Sequence, residues 1–132
     1  MDLPTEIPDQ DGFDSKLFTA PDPKNPRIYV VEDRFLVVDQ EPIRCSANDT
    51  QTIIWRLDMS QPFVFPDNGA IVLSGDDPLP SGLVLRVVGA QRKVFLCTYT
   101  RTRPAIWKYS VRVINGITSE PLITLDPTVH QP

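Results

Sequence analysis

Cys45, Cys97 and His130 are the residues of this 132-residue chain whose types carry nucleophilic or metal chemistry. A Ser or Cys nucleophile needs a base beside it. His130 is the sole histidine, so Cys97 with His130 is the pairing to consider. Structural zinc needs four Cys or His ligands, usually with a C-x-x-C. Neither is present within one chain. Phosphate loops of the G-x-x-x-x-G-K or G-x-G-x-x-G kind are also missing. Asp76 and Asp77, with Asp67 and Asn68, reach calcium's oxygen count only if two loops meet. With no repeated acidic signature they read as solvated turn acids. These residues assign no catalytic group, metal or cofactor. An enzyme with a Cys- or carboxylate-based site stays as the alternative class.

Charge says more. The formal net charge is −4, with 17 acids against 13 bases. Residues 1–77 hold fifteen acids and six bases, a net of −9. From Pro78 to Ser119 there is no Asp or Glu, and residues 78–132 sum to +5. The bases there are Arg86, Arg92, Lys93, Arg101, Arg103, Lys108 and Arg112. Three readings follow: cross-strand pairing with acids around Glu32, Asp33, Asp39 and Glu41, docking of an acidic segment from another copy, or contact with phosphates. A pI near 4.8 opposes nucleic acid, since domains that bind it are usually basic overall.

These residues need elements to hold them. Proline numbers 14, about twice its usual frequency, which argues against long helices. Five of the prolines and six acids fall in residues 1–26, with only Lys16 and Lys24 opposing. This segment reads as an extended acidic arm anchored by Phe13, Leu17 and Phe18. Residues 27–132 read as one domain. Short runs of Val, Ile, Leu and aromatics alternate there with turn residues, the all-β pattern. Strands are predicted near 28–31, 34–39, 51–58, 70–74, 83–88, 93–100, 106–114 and 122–125. Such a set implies an antiparallel β-sandwich of about seven or eight strands, with a small barrel as competitor.

Alternation assigns faces, because successive strand side chains point oppositely. Ile53, Trp55 and Leu57 share one face; Trp107, Tyr109, Val111 and Val113 share another. Trp55, Trp107 and Tyr109 are expected in the core. Lys108 and Arg112 point outward, as does Arg86. The strand 93–100 is apolar on both faces at its start, so it is central or covered. Cys97 reads as a small core residue and Cys45, between Arg44 and Ser46, as more exposed. Met1 to Gln10 has neither the basic start nor the apolar stretch of a secretory signal. The chain is therefore expected in the cytoplasm, unless a signal precedes this numbering, with both thiols free. No apolar run is long enough to span a membrane as a helix.

The order Cys45, Trp55, Cys97 is similar to the immunoglobulin arrangement of two cysteines bracketing a tryptophan. Phe95 stands where that family has tyrosine, and the pairing of the two cysteines stays open. A second resemblance covers more of the chain. Thr52-Ile53-Ile54-Trp55-Arg56-Leu57, Tyr109-Ser110-Val111-Arg112-Val113 and Leu125-Asp126-Pro127-Thr128-Val129 resemble the spacing of small bacterial cupredoxin-like domains of unassigned function. The resemblance implies a sandwich. It does not carry copper over, because a blue-copper site needs two His and a Cys.

The expected role is a non-catalytic interaction or assembly module. Its partner is a protein or another copy of the chain. Arg86, Arg101, Arg103, Lys108 and Arg112 are the expected contacts for an anionic partner.

Overall fold

The computed structural model describes residues 11–16, 20–22, 24–123 and 127–132. The regular elements among them are all strands: β1 (Arg27–Val31), β2 (Phe35–Val38), β3 (Ile43–Arg44), β4 (Thr50–Leu57), β5 (Phe63–Val64), β6 (Ile71–Ser74), β7 (Ser81–Val88), β8 (Val94–Thr100), β9 (Ala105–Asn115), β10 (Pro121–Ile123) and β11 (Thr128–Gln131). Each predicted strand has a counterpart, although residues 124–126 of the last lie outside the described residues. β3, β5 and β11 escaped prediction because none of them carries more than two apolar residues.

Two sheets form, and they do not close into a barrel. One has the order β2-β1-β4-β8-β7, the other β10-β9-β11-β3, with β5 and β6 also on β9. The expected purely antiparallel pairing is corrected in two places. β1 runs parallel to β4, and β11 runs parallel to β3. Parallel neighbours need a long crossover. Between β1 and β4 the chain supplies one, turning back through β2 and visiting the other sheet as β3. The β1–β2 turn places Glu32 and Asp33 at positive φ, 55° each.

The sheets contribute to one shared core. Trp55, Trp107 and Tyr109 are buried in it, as their alternation required. Trp55 of β4 lies 5.3 Å from Tyr109 of β9, and Tyr99 of β8 lies 5.4 Å from Trp107, so rings from opposite sheets meet. β8 proves both central and covered. It sits between β4 and β7, and Val94 and Leu96 form a second buried cluster with Val88 on its other face.

Of the predicted arm anchors, Leu17 and Phe18 lie outside the described residues. Phe13 docks on its own chain. Its N–H donates to Leu57 O, its carbonyl accepts from Met59 N–H, both at 2.9 Å, and its ring lies 4.9 Å from Tyr29. Gly12 makes that approach possible, since a Cβ there would stand 2.0 Å from Leu57 O. Nearby, Lys93 is buried and its Nζ donates to the carbonyls of Gln61 and Phe63. Burial pulls its pKa down, against the charge of Asp58. For Asp58, burial pushes the carboxyl up. The Ser60 N–H and hydroxyl, Ser15 and the Lys93 charge outweigh this and hold it below its ordinary value.

Two outcomes are expected. Gly12→Ala must displace backbone rather than a flexible side chain, and should cost about 1–3 kcal/mol in a urea titration. A depressed carboxyl contributes stability above its unfolded pKa and loses it as pH falls through the folded value. Asp58→Ala should therefore lower the urea midpoint near neutral pH. The gap to the parent should begin to narrow below about pH 3.9, the ordinary Asp value, and keep narrowing as pH falls through the lower folded value.

Candidate functional site

The residues with nucleophilic chemistry are not brought together. Cys97 is fully buried on the core face of β8, and burial, with the neighbouring Cys45 thiol, pushes its pKa up to about 12. His130 lies on β11 between two buried residues, Val129 and Gln131, so it faces away from the core. Cys45 follows β3, half-buried, and faces inward. The Tyr99 hydroxyl donates to Gln131 Oε1 at 2.6 Å and lies 3.3 Å from Cys45 Sγ. Burial raises the Cys45 pKa, partly opposed by Tyr99. Both cysteines are thiols. Among the described residues no three His, Cys, Asp or Glu gather as metal ligands. Asp67 pairs with Arg92, and Asp77 Oδ2 accepts from Ile106 N–H at 2.8 Å, so the two acidic loops serve separate purposes.

The five predicted cations are divided by the fold. Arg86 projects from β7 on the outer face of the five-stranded sheet, opposite Leu96. Lys108 and Arg112 project from β9 on the outer face of the other sheet. Because both sheets turn their inner faces to one core, these outer faces look in opposite directions. Arg101 Nε donates to Pro132 O at 2.7 Å, so it holds the end of β11's extension. Arg103 is exposed in the β8–β9 turn. Two other bases of the stretch are spent internally. Arg92 pairs with Asp67 and bonds Phe65 O, and Lys93 is buried. Asp39 is held by Arg27 at 2.7 Å rather than by the basic hairpins.

The outer face of the six-stranded sheet gains two residues that the sequence did not signal. Arg44 pairs with His130, and His130 pairs with Ile106. Thr128 pairs with Lys108, which also pairs with Ser74. Residues paired across strands share a face, so Arg44, His130, Lys108 and Arg112 lie on one surface. Exposed Ile106 and Val72 lie among them. Glu41 reaches this surface, but Thr128 takes its carboxylate through its N–H and its hydroxyl, the latter at 2.7 Å. Among the described residues, Arg44, Lys108 and Arg112 have no side-chain ion pair. Nothing local to β3 or β11 could have revealed this, since each is too short to show alternation.

Two cavities flank β3. One, about 550 Å³, is lined by Arg44, Cys45, His130, Ile106 and Asp77 among others. The other, about 310 Å³, is lined by Arg44, Cys45, Lys24, Gln51 and Ile53 among others.

Comparison with known proteins finds no matching family model and no significantly similar curated protein. Among the described residues no helix is long and apolar enough to cross a membrane.

The environments of the two thiols predict different reactivity. In the native state Cys45 should react measurably with a maleimide, while Cys97 reacts only as fast as the chain unfolds. Mass spectrometry of peptides from a timed reaction reads both rates.

Proposed function

We propose that the chain is a non-catalytic interaction module that binds an acidic protein segment through the outer face of its six-stranded sheet. Its partner is another copy of the chain, which carries six acids in residues 1–26. One observation carries the reading. Arg44, Lys108 and Arg112 share an outer face, uncompensated by any side-chain ion pair among the described residues, around exposed Ile106 and Val72. A core of apolar contact within a charged surround is the anatomy of a protein interface. The two sheets over one core are read here as a β-sandwich of immunoglobulin-like or cupredoxin-like type. A cytoplasmic setting fits two cysteines held as thiols. The net charge of −4 favours a protein segment over a nucleic acid.

Sedimentation velocity tests the proposal. Screening weakens contacts between exposed charges. The chain should associate at low salt and separate at roughly 0.5 M salt. Lys108→Glu with Arg112→Glu should weaken association by about tenfold or more. Arg86→Glu, on the opposite face, should leave it unchanged. A monomer at both salt concentrations would overturn the reading.

A further inference from the structure

β7 is an eight-residue strand at the end of the five-stranded sheet, with β8 on one side and no strand on the other among the described residues. The direction of its backbone groups follows from β4. Ile54 and Arg56 donate their N–H groups to Lys24 O and Pro26 O, away from β8, whereas Leu57 N–H donates to Lys93 O. Residues of an antiparallel pair alternate between facing the partner and facing away. Ile54 pairs with Leu96, and Leu96 pairs with Arg86. Leu96 therefore bonds β7, Arg86 bonds β8, and the N–H and C=O of Leu85 and Val87 point to the free edge. No hydrogen bond from the described residues reaches those groups.

This edge lacks the usual protection. Edge strands are commonly kept short, bulged, or blocked by Pro or Lys. β2, at the other end of the sheet, has four residues. The bulge of β7 lies at one end, between Ser81 and Val84, with Gly82 at φ 64°. From Leu83 to Val88 there is no Pro, Lys or acid. Leu83, Leu85 and Val87 pack on the core yet stay half-buried, and Val84 is exposed on the outer face. The unmet backbone groups call for a strand, and the half-buried side chains call for an apolar one.

We infer that β7 pairs antiparallel with β7 of a second copy about a two-fold axis at Leu85. The strand is self-complementary in that register and poorly so in its neighbours. Leu85 then stands opposite itself, with its edge-facing N–H and C=O bonded reciprocally. Val87 meets Leu83 of the second copy, which extends the core face. Arg86 meets Val84. An axis at Arg86 would set like charges directly opposite, which is destabilising. An axis at Val84 would run Val87 into the bulge at Ser81. An axis at Val87 would set Leu85 against Gly89, a turn residue at φ 85°. A pairing this short lies at the small end of protein interfaces, so the dimer should form at micromolar concentrations. It uses neither Arg44, Lys108 nor Arg112 and is independent of the acidic-segment reading.

Sedimentation velocity of the full chain over a concentration series tests it. Roughly 0.5 M salt screens contacts between exposed charges, so assemblies held by the other face come apart there and a β7-paired dimer should remain. Val84→Lys, which faces Arg86 of the second copy twice per dimer, should dimerise about fivefold or more weakly than Val84→Glu. Val84 and Arg86 form a close, non-hydrogen-bonded pair across the axis. A mixture of Val84→Cys and Arg86→Cys chains should therefore cross-link under diamide, and each variant alone should not. A monomer at high salt with assembly at low salt would overturn β7 pairing and leave the module reading standing. Equal cross-linking of the single variants and the mixture would also overturn it. A dimer at both salt concentrations, unaffected by Lys108→Glu with Arg112→Glu but weakened by Val84→Lys, would support β7 pairing and overturn the module reading.

Discussion

The contact on which the structure depends is the meeting of aromatic rings across the two sheets, Trp55 against Tyr109 and Trp107 against Tyr99. Burying a large apolar side chain contributes roughly 1.5–3 kcal/mol, and an aromatic pair about 0.5–1.5 kcal/mol more. β9 supplies two of these four rings. It also pairs with β5, β6, β10 and β11, so it organises its whole sheet. Because its side chains alternate, placing Trp107, Tyr109, Val111 and Val113 inside forces Lys108 and Arg112 outside. The core and the charged outer face are consequences of a single register.

The net charge of −4 is a remainder between unlike parts of the molecule. Many of the charges are consumed by the fold: Arg27 with Asp39, Arg92 with Asp67, and Lys93 with backbone carbonyls beside Asp58. Lys93 is tolerated in the interior because its donors meet acceptors; a buried charge without partners would be far more costly. Among the cations outside these pairings, Arg44, Lys108 and Arg112 lie on one face and Arg86 on the other.

Much of the fold is legible in the amino-acid sequence. Strands with six or more residues showed their alternation, and β8 showed apolar character on both sides because it is covered on both. The candidate surface was legible only in part. Lys108 and Arg112 sit on a long strand whose period reveals their direction. Arg44 and His130 sit on strands of two and four residues, where no period exists to read. Arg101 looked like a surface cation, yet its guanidinium is held by the Pro132 carbonyl, a partner from the far end of the chain.

The amino-acid sequence by itself determined the all-β class, the inward faces of the long strands and the segregation of charge along the chain. All three follow from local steric and hydrophobic periodicity, which acts between residues one or two positions apart. Tertiary structure alone decided which strands became neighbours, and therefore which charges share a surface. Arg44 meets His130, and Arg86 parts from Lys108, because sheet pairing joins segments distant in sequence. That choice is settled by how the two faces bury a common core, a property of the whole chain that no short stretch contains.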